Sequence, residues 1–267
     1  MVAYSEKLKK LFLNLPFIFT NPAKIVMFHL GRCGSTVLGN LLNQHLNIFW
    51  DSEIYEKIGR RSLPELYITS NPFKLIRMRM LWAGRYYGFE TKLMQKQNII
   101  YNPIGMSLPE FVDRLKKMGF DHFIILNRRN YLRQVVSGAI GFKNKLWHQP
   151  YIQKPFMTRI YLDVNNVPFG HNYKPLFARF DEFDATYKLL NHVLTNQRVL
   201  RLNYEDDVLQ DPVKAYRRVC SFLGIDCKKV STRLRKMNPF DLSDIITNFG
   251  DIEIALRGTS YEWMLYD

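Results

Sequence analysis

The sequence predicts an α/β fold: a single domain with a central parallel sheet flanked by helices. Short apolar runs typical of buried parallel strands alternate along the chain with segments whose apolar residues recur at helical spacing. A glycine-rich turn joins the first of these strands directly to a helix. Because parallel strands are usually connected through a helix on the face of the sheet, this alternation indicates a sheet covered on both faces. The length and the lack of an internal repeat fit one domain over residues 1–267.

The first elements follow from hydrophobic pattern and capping residues. Residues 24–30 form a short apolar run that ends at a glycine, which predicts a strand, and residues 35–46 carry leucines and valine on one helical face. A short strand is predicted near residues 48–50. A helix is predicted over residues 107–118, where Ser107 and the glutamate three residues later have the pattern of a capping box.

The later elements continue the alternation, with one long interruption. Buried strands are predicted over residues 121–126 and 197–204, and helices over residues 133–141 and 212–223. Residues 142–180 contain four prolines among many aromatic residues and show little periodicity. They are predicted to leave the sheet as a long excursion, which is either a lid or acceptor-binding segment or a partly ordered insertion.

The composition is that of an ordinary globular protein with a large positive charge. Hydrophobic residues make up 47% and charged residues 23%, which excludes a disordered or collagen-like chain. Lysine and arginine number 38 against 24 aspartates and glutamates, a net charge of +14. This surplus favours anionic partners: nucleotides, sulfated or phosphorylated ligands, nucleic acid or an acidic membrane face. Residues 57–96 are locally basic, either as a solvated face or as a surface for an anionic acceptor.

Cysteine use and hydropathy predict a cytoplasmic protein without a transmembrane segment. Three cysteines do not make a disulfide framework, and no pair has the spacing of a zinc site. No apolar run reaches the ~20 residues needed to span a bilayer. Residues 8–19 are apolar but interrupted by lysines, an asparagine and a proline, and they lack a small-residue cleavage site. This segment is predicted to form a short amphipathic helix, with weak membrane-surface contact as the alternative.

The glycine-rich turn after the first strand has the features of a phosphate site. Its residues are Gly31, Arg32, Cys33, Gly34, Ser35 and Thr36. Backbone N–H groups at the start of a helix are unpaired, and the helix dipole adds partial positive charge there. The two glycines allow close approach of the backbone, Arg32 adds a cation, and the two hydroxyls can donate to phosphate oxygens. The alternative is that this segment is only a tight strand-to-helix turn.

This turn differs from the loop of nucleoside triphosphatases, which has the pattern G-x-x-x-x-G-K-[ST]. His29 stands five residues before Gly34 where that loop has glycine, and Ser35 stands where it has lysine. The strand over residues 121–126 is followed by an asparagine and two arginines, not by an aspartate that could serve magnesium. The turn is therefore predicted to bind an anion without a metal, and His29 to be buried and hydrogen-bonded.

A second anion site is predicted after the next buried strand. Arg129 follows that strand, and Ser137 lies eight residues later in the following helix. An arginine can hold a phosphate through two parallel hydrogen bonds, and a serine can add another. Because both candidate sites lie at the carboxyl ends of parallel strands, they predict one ligand with two separated phosphates.

Four segments in this order resemble the sulfotransferase family, in particular its bacterial and carbohydrate-type members. Residues 28–42 resemble the 5′-phosphosulfate loop, and Arg129 with Ser137 resembles the 3′-phosphate site. Residues 198–225 and 242–265 are similar to the C-terminal part of these enzymes. The resemblance implies a P-loop-like sulfotransferase fold and the donor 3′-phosphoadenosine 5′-phosphosulfate, which leaves as 3′-phosphoadenosine 5′-phosphate. It also implies metal-independent transfer of a sulfuryl group to an acceptor hydroxyl or amine.

The same resemblance assigns two cations to the reaction. Arg32 stands where it would stabilise the leaving phosphate, at a position that is lysine in cytosolic members of the family. Lys92 is matched to a family lysine that touches the transferring sulfuryl group, with a solvated strand lysine as the alternative. The basic run at Arg233, Arg235 and Lys236 is expected to border the adenosine.

The base that accepts the acceptor's proton is expected among acidic residues after the first helix. Met94 stands where cytosolic members have their catalytic histidine, so the base must come from elsewhere. Glu53 best matches the glutamate base of carbohydrate-type members, and Asp51 and Glu56 are the alternatives. A carboxylate whose pKa is raised by burial can act as a base near neutral pH.

The acceptor and the competing functions stay open at this point. The acceptor is a carbohydrate, a lipid or another small molecule, and the positive charge favours one that carries negative charge. The alternatives are a catalytically inactive nucleotide-binding protein of the same fold, a kinase-like enzyme that uses ATP, and a nucleic-acid-binding basic protein. The missing loop lysine and metal-binding aspartate disfavour a kinase. Nucleic acid is not expected as a partner because no recognition motif is present.

Overall fold

The computed structural model describes residues 22–55, 72–81, 83–93, 106–150, 154, 156–170 and 172–266. The strands are β1 (Ala23–His29), β2 (Ile48–Glu53), β3 (Tyr86–Lys92), β4 (Phe120–Asn127), β5 (Gln149–Pro150), β6 (Val167–Phe169), β7 (Asn172–Lys174), β8 (Val199–Asn203) and β9 (Leu234–Arg235). The helices are α1 (Ser35–Leu42), α2 (Pro72–Met80), α3 (Leu108–Lys117), α4 (Tyr131–Asn144), α5 (Leu176–Val193), α6 (Pro212–Leu223), α7 (Leu242–Ile245) and α8 (Phe249–Leu256). A π-helix spans Tyr204–Val208, and a 3₁₀-helix spans Glu262–Leu265.

Five strands form a parallel sheet in the order β2-β3-β1-β4-β8. The central strand β1 pairs with β3 on one side and with β4 on the other, so that Val26 lies beside both Phe89 and Phe123. Both pairings are parallel, as are those of β2 with β3 and of β4 with β8. All five carboxyl ends therefore lie at the same edge of the sheet.

The two faces of the sheet are buried against different helices. Alternate residues of a strand point to opposite faces. Ile25 and Met27 pack in one apolar cluster with the leucines of α1 and with α6. Val26 and Phe28 pack in the other cluster with α3, α4 and α5. This two-sided burial explains why β1 is a continuous apolar run, as is typical of strands in parallel sheets.

The predicted strands and helices are confirmed, with shifts at their ends. The first helix ends at Leu42 and not at residue 46, because the chain turns there and the N–H of His45 donates to the carbonyl of Leu42 at 3.1 Å. The capping box of α3 is present: the N–H of Ser107 donates to Glu110 at 2.8 Å, and the Ser107 hydroxyl accepts from the Glu110 N–H. Gly224 ends α6 in the left-handed conformation (φ 65°) that favours glycine.

The segment over residues 142–180 differs from its predicted description at its C-terminal end. It contains the end of α4 and a hairpin formed by β6 and β7. The 18-residue helix α5 then begins at Leu176. Its buried residues include Leu176, Phe180, Phe183 and Tyr187, which recur at helical spacing, so that the aromatic residues here belong to a helix face.

The predicted amphipathic segment over residues 8–19 lies wholly outside the described residues. The basic stretch over residues 57–96 lies partly outside them, because only residues 72–81 and 83–93 of it are described. Within the described ranges, none of the helices has both the length and the apolar character that crossing a bilayer demands.

Candidate functional site

The turn between β1 and α1 is built from residues in the left-handed conformation. Gly31, Arg32 and Gly34 have φ angles of 87°, 55° and 84°. A Cβ atom on Gly34 would lie 2.7 Å from Cγ1 of Val208, closer than real Cβ contacts come. Gly34 is also the N-cap of α1 and, being glycine, offers that helix no side-chain cap. The turn therefore requires glycine at this position and leaves the first N–H groups of α1 open to an anion.

A strongly basic cavity of ≈ 140 Å³ opens above the start of α1. Its walls come from the turn, α4, the π-helix and the chain around β9. Five cationic residues line it, and none of the described lining residues is acidic. These cations are Arg32, Arg128, Arg133, Arg235 and Lys236. Ser35, Thr36 and Ser137 add hydroxyl groups to the wall. The cavity is therefore suited to a ligand with several negative charges.

Arg32 and Ser137, predicted for two different phosphate sites, are in direct contact. The Ser137 hydroxyl accepts from Nε of Arg32 at 3.0 Å and from Nη2 at 2.8 Å. Nη1 donates to the carbonyl of Trp147 at 2.9 Å. Burial, together with the charge of Arg128, lowers the pKa of Arg32 to about 10. An anion in the cavity would offset the repulsion between these two guanidinium groups.

The two neighbouring arginines after β4 point in different directions. Arg128 is buried, lines the cavity, stacks 4.5 Å from the ring centroid of Tyr204, and donates to the Arg32 carbonyl at 3.0 Å. Its Nε is buried and has no hydrogen-bond partner among the described residues. Arg129, the residue predicted from the sequence, is half exposed and donates to Asp206 at 2.6 Å instead. The cavity geometry thus favours Arg128 as the anion-binding residue.

A residue of α4 holds the turn in position, and a residue of the π-helix holds the start of α4. The buried Gln134 donates from Nε2 to the Gly31 carbonyl at 2.6 Å. Glu205 accepts from the N–H groups of Arg129 and Asn130, each at 3.1 Å. Glu205 therefore has a structural role at the start of α4. Gln134 was missed by the sequence analysis, although it lies three residues before Ser137 and so on the same face of the helix.

A second group of polar residues lies at the carboxyl ends of β1, β2 and β3. This strand-end cluster consists of His29, Glu53, Glu90 and Lys92. Lys92 Nζ lies 2.7 Å from Oε2 of Glu53, and His29 Nε2 lies 3.4 Å from Oε2 of Glu90. One carboxylate oxygen of Glu53, one of Glu90 and one ring nitrogen of His29 all lie within 4.8 Å of one another. These residues come from three strands that are separated along the sequence, and they meet because β1, β2 and β3 are neighbours in the sheet.

The strand-end cluster adjoins the turn between β1 and α1. A Cβ on Gly31 would lie 3.4 Å from Cε of Lys92, so the lysine side chain runs along the turn. The N–H of Gly31 donates to Nδ1 of His29 at 3.0 Å. His29 is completely buried, as the sequence predicted. The turn is therefore bordered by the basic cavity on its Arg32 side and by the carboxylates on its Gly31 side.

The candidate bases Glu53 and Asp51 lie in different surroundings. Its side chain is 15% exposed, and burial raises its pKa although Lys92 opposes that shift. Asp51, by contrast, is almost fully buried and held by Arg79, whose Nε donates to Oδ2 at 2.6 Å. Glu56 and Met94 lie outside the described residues. Of these two described candidates, Glu53 is therefore the one better suited to accept a proton.

No protein-family model matches this chain, and no curated protein matches it.

Proposed function

We propose that this protein is a sulfotransferase of the carbohydrate type. It transfers a sulfuryl group from 3′-phosphoadenosine 5′-phosphosulfate to a hydroxyl or amine of a carbohydrate, lipid or other small-molecule acceptor. The observation that carries the proposal is the meeting of a basic cavity and a carboxylate–lysine pair at one turn. A polyanionic donor suits the cavity, and an acceptor hydroxyl can lose its proton to Glu53.

The donor has negative charge at two separated positions, and the cavity has cations to match. Arg32 and the first N–H groups of α1 would hold the 5′-phosphosulfate. The remaining lining cations and Ser137 would hold the 3′-phosphate, with Arg128 replacing or joining the Arg129 predicted from the sequence. Because Arg32 and Ser137 already share two hydrogen bonds, the two phosphate sites are joined by one side chain.

The reaction would be an in-line displacement at sulfur. The acceptor oxygen forms a bond to sulfur while the bond from sulfur to the bridging oxygen breaks. The electron pair of that bond stays with the phosphate of 3′-phosphoadenosine 5′-phosphate, where Arg32 and the helix N-terminus stabilise the charge. The acceptor's proton passes to Glu53. Lys92, 2.7 Å from Glu53, favours the ionised carboxylate before that transfer.

This mechanism needs no metal, and the strand-end cluster is consistent with that. His29, Glu53 and Glu90 have the composition of a metal site. However, the Gly31 N–H occupies Nδ1 of His29, so a neutral imidazole carries its proton on Nε2, the nitrogen that faces the carboxylates. The ammonium of Lys92 lies against Glu53 as a competing cation. Neither feature suits a metal ligand set.

The proposal is tested first by donor binding. 3′-Phosphoadenosine 5′-phosphate at about a hundred times its Kd should stabilise the protein by ~2.7 kcal/mol, whereas ATP with magnesium should stabilise it less. Arg32→Ala should abolish this stabilisation, and Lys117→Ala serves as the charge-matched control, because Lys117 is 74% exposed on α3. Equal stabilisation by both nucleotides would indicate unspecific anion binding and contradict the assigned donor.

Transfer itself is tested with a labelled donor and a panel of acceptors. Sulfuryl transfer by the wild type that is lost in Glu53→Gln, with unchanged binding of 3′-phosphoadenosine 5′-phosphate, would support the full mechanism. Specific donor binding without transfer to any acceptor would instead support the inactive nucleotide-binding alternative.

A further inference from the structure

The guanidinium of Arg32 is held in the cavity wall by uncharged groups. Its Nε and Nη2 both donate to the Ser137 hydroxyl, and its Nη1 donates to the Trp147 carbonyl at 2.9 Å. Its Nη2 also donates to Sδ of Met237 at 3.4 Å. None of these three partners carries a charge, whereas Arg129 is paired with a carboxylate. The contacts therefore orient Arg32 without neutralising it.

The indole of Trp147 is a further contact of the same guanidinium. Cζ of Arg32 lies 5.6 Å from the centroid of the indole ring, which is within the range of a cation–π interaction. This attraction acts on the positive charge through the ring quadrupole and adds no counter-charge. Trp147 therefore holds Arg32 through both its carbonyl and its ring.

Helix α4 fixes the position of that indole. A Cβ atom on Gly141 would lie 2.8 Å from Cε3 of Trp147 and 2.9 Å from Cζ3, so the ring packs directly on the helix backbone. The N–H of Leu146 donates to the Gly141 carbonyl at 3.2 Å, where the chain turns from α4 toward Trp147. Ser137 lies four residues before Gly141 and so on the same side of α4. One side of α4 therefore supports both the hydroxyl and the indole that hold Arg32.

An anion in the cavity can replace one partner of Arg32 and leave the others in place. Met237 lines the cavity, and its thioether sulfur is a weak acceptor. A phosphate oxygen carries charge and accepts from a guanidinium much more strongly. We expect the phosphate to displace the thioether, while the contacts with Ser137 and Trp147 remain. Arg32 then meets the anion already aligned.

We propose that Trp147 is a positioning residue that holds Arg32 at the donor site. Its ring and its carbonyl fix the guanidinium in the cavity wall, and the backbone of α4 at Gly141 fixes the ring. The inference rests on the proposed function for the identity of the donor and for the charge that Arg32 stabilises. The alignment of Arg32 is a property of the protein alone and can be measured without donor or acceptor.

Two substitutions disturb the indole without changing a charge. Trp147→Leu removes the ring and keeps the carbonyl. Gly141→Ala keeps the ring but displaces it, because the added Cβ would lie 2.8 Å from it. Trp263→Leu is the matched control, since Trp263 is 45% exposed on the 3₁₀-helix and is not among the residues that line the cavity. Calorimetric titration with 3′-phosphoadenosine 5′-phosphate measures the affinity of each variant.

The two variants should each weaken nucleotide binding by about threefold to tenfold, and Trp263→Leu should leave it unchanged. In an Arg32→Lys background, Trp147→Leu should weaken binding by at most about twofold, because an ammonium has no planar fork to align. An equal loss in both backgrounds would indicate a merely structural role and overturn the inference. Tighter binding in Trp147→Leu would also overturn it, because the indole would then hold Arg32 away from the ligand.

A measurement on the wild type covers the case in which a variant does not fold. In the nucleotide-free protein, the ring current of the indole should shift the side-chain N–H proton signals of Arg32 upfield in NMR spectra, with Arg32→Lys as the assignment variant. Signals at the position typical of solvent-exposed arginines would refute the contact. If 3′-phosphoadenosine 5′-phosphate does not bind at all, the assigned donor is wrong, whereas the Arg32 signals still decide whether Trp147 holds the guanidinium.

Discussion

Replacing Gly34 by alanine tests both the shape of the turn and its link to ligand binding. Gly34 has a φ angle of 84°, and an added Cβ would lie 2.7 Å from Val208 and 3.1 Å from the Tyr204 ring. The left-handed conformation costs a non-glycine residue about 1–2 kcal/mol, and forcing a methyl group into a packed site costs about 1–3 kcal/mol more. The variant Gly34→Ala should therefore lose about 2–5 kcal/mol of unfolding free energy.

Gly224→Ala is a matched control for this prediction. Gly224 also has a positive φ angle, 65°, but nothing lies within 4 Å of the position that its Cβ would occupy. This variant should lose only the conformational part, about 1–2 kcal/mol. The difference between the two variants isolates the contact between the turn and the π-helix.

Chemical denaturation measures both stabilities, and calorimetric titration with 3′-phosphoadenosine 5′-phosphate measures the functional effect. Nucleotide affinity should fall in Gly34→Ala, because a shifted turn moves the first N–H groups of α1, and should be unchanged in Gly224→Ala. If Gly34→Ala is no less stable than Gly224→Ala, the close packing of the turn against Val208 is wrong. If it is destabilised but binds the nucleotide as well as the wild type, the turn is not the anion site.

Three further predictions concern the cavity and the base. Arg128→Gln should weaken binding of 3′-phosphoadenosine 5′-phosphate at least tenfold and Arg129→Gln much less, because of these two arginines only Arg128 lines the cavity. Calorimetric titration measures both affinities. The reverse order of the two effects would favour the assignment of Arg129 from the sequence. Turnover should fall as the pH is lowered through the pKa of Glu53, because only the ionised carboxylate accepts a proton. Burial raises that pKa above 4.5. A pH–rate profile that stays flat below neutrality would contradict this role of Glu53. Gln134→Ala should lower the unfolding free energy by about 1–3 kcal/mol, because the buried Gly31 carbonyl loses its hydrogen-bond donor. A denaturation midpoint equal to that of the wild type would refute this contact.

The parts of the fold that the sequence predicted depend on local patterns. The capping box at Ser107, the stop at Gly224 and the glycine turn after β1 each involve residues within a few positions of one another. The start of α5 at Leu176 was not predicted, because aromatic residues and prolines obscured the helical period over residues 142–180. Its apolar face became evident only where the core packs against it.

Within the site, the sequence predicted which residue types to expect but not the direction of each side chain. Arg128 and Arg129 are adjacent, have identical side chains and follow the end of β4, so the sequence does not distinguish them. Only the position of the cavity decides that Arg128 faces it while Arg129 pairs with Asp206. The assignment of Arg129 by resemblance stays a prediction, which the paired arginine variants test.

The sequence by itself determined that the chain is α/β and that a strand, a glycine turn and a helix follow one another, with a helix start suited to an anion. These features depend on hydrophobic periodicity and on turn residues, both of which act over a few neighbouring positions. The tertiary structure alone decided that His29, Glu53, Glu90 and Lys92 meet beside that turn. Their meeting depends on the strand order β2-β3-β1, which brings residues up to 63 positions apart to one edge of the sheet. No local pattern contains that order, because it results from packing both faces of the whole sheet against helices.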